Sequence, residues 1–461
     1  MASLKKLSAN NKASLSHQLQ AFLKDVFLSQ HLINPKLVLG LSGGLDSVVL
    51  LNLLADANKV IPYKLSAHHV HHGLSPNADA WANFCVDYCK QLNIPLSVSK
   101  VKVSKNSGLG IESAARNARY QALLNDDADL ICVAHHQDDQ AETFLLQLAR
   151  GAGVKGLAGM GAVNKLPRPL LRPFLDVPRS ALETYAKAHK LTWVEDESNF
   201  DTKFDRNFMR HEVLPLLSSQ YPAIRQTLAR AANHLADADM MLDELAISDI
   251  TACQPVQSQT KKIKLEPLLQ LSDARTHNVL RYWLRQHACD MPSTAHLTQI
   301  RKQLFDAKPD ASIKIKLSES HVLRRFQGSA FIVENENVSK NSNSSIAFGL
   351  IWKGEKTITL PDQSRLIFSE KTGTGIAMRH IENSQLLIRY RQGGETLKPA
   401  ENRPSRSLKY LFQSSNIPPW QRERLPLLFL NDELVAVTDI AVDAKFVPTP
   451  DELGLCAHWQ S

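Results

Sequence analysis

Four times between residues 37 and 150 a short apolar run is followed by a stretch of helical periodicity, and this alternation restricts the fold more than any other feature. Strands are expected at 37–41, Lys64–Val70, Leu96–Val103 and Leu130–Ala134, and helices at 47–56, 77–91, Glu112–Leu124 and Asp138–Arg150. Such alternation builds βαβ units, with parallel strands and helices packed on the sheet faces. A parallel sheet takes its ligand at the carboxyl ends of its strands. The polar motifs fall there: SGGLDS after the first strand, HHVHHG after the second and HHQDDQ after the fourth.

The first of these turns is nearly bare backbone: Ser42, Gly43, Gly44 and Ser47 join an apolar strand to a helix. A helix N-terminus carries unpaired N–H groups and partial positive charge, so an anion is a natural occupant. Gly43 and Gly44 let the backbone approach a phosphate, and Ser42 and Ser47 add hydroxyls. The lysine of GxxxxGK[ST] is lacking, so this is not a Walker loop. Asp46 beside an anion is repulsive unless a cation such as Mg²⁺ bridges the two. A plain Gly-rich turn with an N-cap fits the same letters.

Ala134–Met160 (AHHQDDQAETFLLQLARGAGVKGLAGM) puts Ala141, Phe144, Leu145 and Leu148 at core-facing helical spacing. Asp138, Asp139 and Glu142 lie roughly 120° around from that stripe, toward the mouth of the sheet. Carboxylates there hold Mg²⁺, hold an ammonium or polarise a nucleophile; they also suit a helix N-terminus with no further role. His68, His69, His71 and His72, with His135 and His136, allow a zinc hydrolase as the rival enzyme class. That rival leaves the SGGLDS turn unexplained, and histidines at strand ends also suit contact with a nucleotide or with the carboxylates. ESAARNARYQALL carries Arg116 and Arg119, candidates for phosphate pairing, among the packing residues Ala115, Ala118 and Leu123. DESNFDTKFDRNFMRHEVLP places Arg206, Asn207 and Arg210 ahead of Ala- and Leu-rich helical sequence at 211–247 and 266–306.

The 461 residues suggest two to four domains, and the apolar content of 43% is ordinary for a globular chain. The polar stretch Glu334–Ser345 reads as a linker, followed by β-like runs at Thr357–Leu360, Arg365–Ser369, Leu386–Tyr390, Leu427–Leu430 and Leu434–Val437. A formal charge of +8 and a pI of about 9.0 are compatible with an anionic partner. Between Arg389 and Leu425, eight basic residues (Arg389, Arg391, Lys398, Arg403, Arg406, Lys409, Arg422, Arg424) face three acidic ones, interleaved with Tyr390, Tyr410, Phe412 and Trp420. Basic charge binds phosphates and aromatics stack on exposed bases. The six cysteines form no CxxC pair, which argues against a disulfide framework, a zinc knuckle or an iron–sulfur site. No signal-peptide run and no apolar stretch of membrane-span length is present, so a cytoplasmic protein is expected.

The SGGLDS loop resembles that of the PP-loop ATP pyrophosphatases. Taken in order, SGGLDS, HHVHHGLSPNADAW, ESAARNARY, AHHQDDQAETFLLQLARGAGVKGLAGM and DESNFDTKFDRNFMR resemble the tRNA(Ile)-lysidine synthase family over most of residues 37–215. The resemblance implies an α/β fold: a parallel-sheet PP-loop catalytic domain at 1–215, a mostly helical tRNA-binding domain at 216–335, and a small mixed or β-containing domain at 350–461 that grips the acceptor stem. It implies that ATP adenylates O2 of the wobble cytosine of a CAU-anticodon tRNA, and that lysine then attacks C2, releasing AMP. The implied catalytic residues are Asp46, Asp139, Glu142, Arg206 and Arg210, with Mg²⁺ at Asp46. Ser42, Gly43, Gly44, Leu45, Asp46, Ser47, Arg116 and His135 are expected on ATP, and Arg206, Arg389, Arg391, Arg403, Arg406 and Lys409 on tRNA. A homodimer is compatible with it. The nearest rival is a tRNA 2-thiolation enzyme of the same superfamily, which would use cysteines; Cys85 and Cys89 have packing positions on a helix, and Cys132 lies inside a strand. A non-catalytic tRNA-binding protein is the third.

Overall fold

The computed structural model describes residues 14–102, 111–165, 168–253, 261–308, 311, 313–335, 349–382 and 384–460. Described residues up to Leu245 form one compact unit, and those from Ala246 onward a second.

The first unit opens with α1 (Leu15–Ser29) and then alternates β1 (Lys36–Gly40), α2 (Leu45–Ala57), β2 (Lys64–His71), α3 (Ala78–Gln91), β3 (Leu96–Lys100), α4 (Ile111–Leu124), β4 (Leu130–Cys132) and α5 (Gln137–Ala149). All four expected strand–helix pairs are present. The turn α6 (Val154–Leu157), strands β5 (Val163–Lys165) and β6 (Pro169–Leu171), and α7 (Arg179–Ala188) follow. The sheet order is β3-β2-β1-β4-β6-β5, parallel except for β5. Chain order therefore reverses between β1 and β4, so the ends of these neighbouring strands form the crevice where an open α/β sheet binds its ligand. The second motif is placed differently from expectation. β2 runs on to His71, so His68, His69 and His71 lie within the strand and only His72 follows it.

Strand alternation divides the core. Leu37 and Leu39 of β1 face α1, α2, α3 and α7, whereas Val38 faces Leu123 of α4. α2 is buried almost all round, as a helix apolar on every side must be. Its one interior polar side chain, Asn52, gives its amide to Val48 O (2.9 Å) and the Tyr88 hydroxyl (2.7 Å). Ahead of the long α10 (Ile224–Cys253), the short α8 (Asp205–Phe208) runs through one π turn, Met209–Val213, into α9 (Leu214–Gln220). Such i→i+5 turns are rare and frequent functional sites.

The second unit holds α11 (Asp273–Gln286) and α12 (Thr294–Asp306) against an antiparallel sheet, β7 (Lys262–Lys264), β10 (Ser329–Glu334), β9 (His321–Phe326) and β8 (Ile313–Lys316) in that spatial order. The helices match expectation; the sheet they pack against was not foreseen. Glu334 ends β10 and buried Asn335 donates to Glu319 O at 3.1 Å, so the expected linker starts no earlier than 336; the rest of it lies outside the described residues. Beyond it, β11 (Gly349–Ile351), β15 (Leu386–Arg389), β18 (Leu427–Leu430), β19 (Glu433–Val437) and β20 (Ala441–Val442) make one sheet. Strands β12 (Thr357–Thr359), β13 (Arg365–Thr372), β21 (Leu453–Gln460) and β14 (Ile376–Ala377) make another. Ile358, Leu366, Ile388, Leu428 and Leu455 from both sheets share one core.

Candidate active site

The turn after β1 is closed on its own hydroxyls. Ser42 Oγ accepts the Gly44 N–H (3.3 Å) and lies 3.0 Å from Ser47 Oγ, which donates to Gly44 O (2.9 Å). Gly43 has φ +88°, and a Cβ there would sit 3.0 Å from Val194 Cγ2 and 3.1 Å from Cys85 Sγ. Both the left-handed backbone and the close approach call for glycine. Val194 N–H binds Gly43 O at 3.0 Å, fixing the loop from outside. Leu45 is buried and begins α2, and Gly44 caps that helix without a side chain, leaving first-turn amides for a ligand.

Asp46 is where this loop meets α5. Its Oδ2 lies 3.5 Å from His136 Nε2, while its Oδ1 is buried without a hydrogen-bond partner. His136 caps α5: its backbone N–H donates to Asp139 Oδ2 (3.0 Å), and Asp139 N–H approaches its Nδ1 (3.4 Å). Burial pushes the His136 imidazole down, but Asp139 and Asp46 outweigh burial and raise it to about 9. The ring is therefore a cation at neutral pH, its Nε2 lying between the Asp46 (3.5 Å) and Asp139 (3.4 Å) carboxylates.

Two arginines close the set. Arg206 Nε donates to Glu142 Oε2 (2.7 Å), and Arg210 donates to both Glu142 oxygens through Nε (2.6 Å) and Nη2 (3.0 Å). Each also sends Nη2 to Asp139 Oδ1, at 3.2 Å. Glu142 is wholly buried. Burial pushes the Asp139 carboxyl up, but His136, Arg206 and Arg210 together hold it well below the usual carboxylate range. Three carboxylates thus face two guanidinium groups and one imidazolium, and the cluster is neutral before any ligand arrives. The π turn carries Arg210 back onto the same carboxylates as Arg206. Asn207 anchors the segment by donating to Ser198 O (2.8 Å) and Asp201 O (3.0 Å), and Glu197 ties it to the histidine-motif loop through Ser75 (3.1 Å) and Asn77 (2.9 Å).

Not every expected contact converges. Asp138 turns away and pairs with Arg225 (2.8 Å), and the core stripe of α5 is displaced. Ala141 is buried, but Leu148 is 55% exposed, because the buried side of this helix is its polar first turn. The histidines are spent separately. His68 binds Asp126 and Ser99, His69 gives Nδ1 to Leu41 O (2.8 Å), and His71 binds Asp79 (3.1 Å). Among the described residues no three His, Cys, Asp or Glu side chains are grouped to hold a metal. Cys85, Cys89 and Cys132 are free and buried. Burial pushes the Cys85 thiol up to about 12, Cys89 to about 11 and Cys132 higher still, the opposite of what sulfur transfer needs.

Two residues escaped the sequence reading. Arg172 is buried, donating through Nε to His135 Nδ1 (3.2 Å) and through Nη1 to Gly161 O (2.8 Å). Burial, with Arg206 and Arg172, presses His135 down to about 3 against Asp139. Neutral His135, accepting at Nδ1, carries its proton on Nε2. Gln140 clasps Met160 through its N–H (2.8 Å) and its carbonyl (3.0 Å), holding the segment after α6 against α5. An arginine inside the apolar run LLRPFL was the available signal for Arg172. Arg116 stays on α4, its guanidinium 5.4 Å from the Tyr120 ring.

In the second unit the basic residues divide. Arg403, Arg406 and Lys409 are exposed, and Arg406 lies 4.8 Å above the ring of half-exposed Tyr410. Arg389 instead lies 3.8 Å from the Phe429 ring centroid and Arg391 5.9 Å from that of Phe412. No helix among the described residues is long and apolar enough to cross a membrane.

Comparison with known proteins agrees with this architecture. A family model for a PP-loop domain matches residues 11–217, one for the TilS substrate binding domain matches 264–331, and one for the TilS substrate C-terminal domain matches 386–459. A Nitrosomonas europaea protein named tRNA(Ile)-lysidine synthase is 39% identical over 92% of this chain and 92% of its own length. Proteins of the same name from Coxiella burnetii and Chromobacterium violaceum are 38% and 41% identical, covering 93% and 88% of this chain and 94% and 92% of their own lengths.

Proposed function

The chain belongs to the tRNA(Ile)-lysidine synthase family, and from that premise we propose how its residues divide the work of joining lysine to the wobble cytidine. The reaction needs two displacements. Cytosine O2 attacks the α-phosphorus of ATP and pyrophosphate leaves; the lysine amine then attacks C2, and O2 leaves with AMP. Cytosine C2 is a poor electrophile until its oxygen has become part of a leaving group.

The observation that carries this reading is the neutral ion cluster of Asp46, His136, Asp139, Glu142, Arg206 and Arg210 beside the amides of Ser42–Ser47. The loop amides and the Ser42 and Ser47 hydroxyls receive the departing pyrophosphate. Asp46 has an unpartnered buried oxygen, a hard donor suited to Mg²⁺. Asp46 would hold that ion, which supplies charge neutralisation to the phosphates. Asp139 and Glu142 have guanidinium donors on their oxygens, so their part is to orient Arg206 and Arg210 toward the negative charge that develops at phosphorus. His136 adds a fixed positive charge. Neutral His135 offers Nε2–H to the nucleotide, and Arg116 a cation. The wobble base must leave its stack to reach this crevice. Arg403, Arg406 and Lys409 hold tRNA phosphates, with Tyr410 as a stacking surface. Residues 1–215 then carry catalysis, and 216–335 and 350–461 hold the tRNA.

The test is incubation with ATP, labelled lysine and an unmodified CAU-anticodon isoleucine tRNA. Label enters the RNA, and AMP release requires both tRNA and lysine. Asp46→Ala and Asp139→Ala abolish incorporation while leaving tRNA binding intact. AMP formation without lysine-dependent labelling would contradict the reading.

A further inference from the structure

We propose that Ser99, His68 and Asp126 form a second catalytic site, a hydrolytic triad for small acyl esters, on the α4 side of the sheet. The three side chains come from separate elements: β3, β2 and the loop after α4. His68 Nδ1 lies 2.8 Å from Asp126 Oδ2, and His68 Nε2 lies 2.9 Å from Ser99 Oγ. A carboxylate only accepts, so Nδ1 carries the proton, and Nε2 is the nitrogen placed to accept from the serine. That is the arrangement in which an imidazole serves as base to a hydroxyl nucleophile and the acid holds its tautomer. Ser97 Oγ also donates to Asp126 Oδ2, at 3.3 Å, steadying the carboxylate. None of the three belongs to the ion cluster beside the nucleotide loop.

A cavity of about 670 Å³ opens over the triad and is lined by all three of its members. Ala118, Ala122 and Val101 supply an apolar wall fit for a short acyl chain, while Asn125 and Asp127 make the polar part of the lining. Two cations near the lining are engaged, Lys100 Nζ by Asp79 at 3.1 Å and Lys36 Nζ by Asp127 at 2.6 Å. The lining thus favours esters of neutral or cationic alcohols. β3 is an edge strand. Val101 N–H goes to His71 O (2.9 Å), so strand alternation turns the preceding N–H, that of Lys100, toward the edge that no described strand pairs. An amide on the residue after the nucleophile is the donor needed for a tetrahedral oxyanion.

The step balances without a cofactor. Ser99 Oγ bonds to the acyl carbon as its proton passes to His68 Nε2. The alcohol leaves with that proton, and water, deprotonated by the same ring, frees the acid and restores the serine.

The test uses the full chain, a fluorophosphonate probe and p-nitrophenyl acetate. Wild type forms an adduct located at Ser99 by peptide mass spectrometry, and hydrolyses the ester. Ser99→Ala loses the adduct and the hydrolysis but keeps tRNA-dependent AMP release, which certifies the fold. His68→Gln lowers both esterase readouts by roughly 10²–10⁴-fold. Absence of an adduct at Ser99 in wild type, unchanged hydrolysis in Ser99→Ala, or labelling indifferent to His68→Gln each overturns the proposal and leaves these residues as a packing contact.

Discussion

Replacing Glu142 with glutamine tests whether the cluster holds itself together as described. The substitution keeps the shape, removes one charge, and turns an amide NH₂ toward guanidinium donors. Glu142 is 0% exposed, and Arg206 and Arg210 are 16% and 25% exposed, so solvent repairs little of the loss. Breaking a buried ion pair costs about 3–5 kcal/mol, and partial exposure of the arginines places this case near the lower end, at about 3 kcal/mol. In a unit of this size 1 kcal/mol moves the thermal midpoint by about 2–4 °C, so calorimetry of the intact chain should show a fall of about 6–12 °C. Arg210→Met and the double variant complete a cycle, in which the second substitution costs less once the first is present. A midpoint within about 2 °C of wild type, or strict additivity in the cycle, would refute the reasoning.

Other outcomes follow from the same geometry. Because the His136 pKa is raised in the fold, its contribution is full below pH 6.5 and disappears as pH rises through about 9; the stability gap between wild type and His136→Gln, measured by urea unfolding, should close over that window. Arg403→Ala combined with Arg406→Ala should weaken tRNA binding and flatten the slope of log K against log salt by about 1–2, read by filter binding at several salt concentrations. Arg389→Ala should instead lower the melting temperature, because that guanidinium stacks on Phe429; an unchanged melt with lost RNA affinity would reverse its assignment. Asp46→Asn should abolish pyrophosphate release at every Mg²⁺ concentration in a coupled pyrophosphate assay. Cys85→Ser and Cys132→Ala should retain lysine incorporation, and a sulfur-containing product lost in either would revive thiolation chemistry.

Period and punctuation made much of this molecule readable. Strand–helix alternation from residue 37 predicted four parallel strands and their helices, because apolar spacing is a local property. Gly43 was legible too, since a tight strand-to-helix turn restricts residue type. The C-terminal strands were visible as short apolar runs, while the β7–β10 sheet was not, because charged residues interrupt the apolar ones in KIK, IKIK and HVLRRF.

From the order of its residues alone, this chain had already committed to a parallel sheet, a phosphate-sized turn and a set of charged groups at the strand ends. Residue order could not say how those charges pair, since pairing depends on which strand ends are neighbours. The reversal of strand order between β1 and β4 brings Asp46 against His136, and the π turn lays Arg206 and Arg210 on Glu142. The Asp139 and Asp46 carboxylates then make His136 a cation against the pull of burial, while burial keeps His135 neutral, although the two stand side by side in sequence. Protonation follows from desolvation and from neighbours distant along the chain, and only the tertiary structure supplies both.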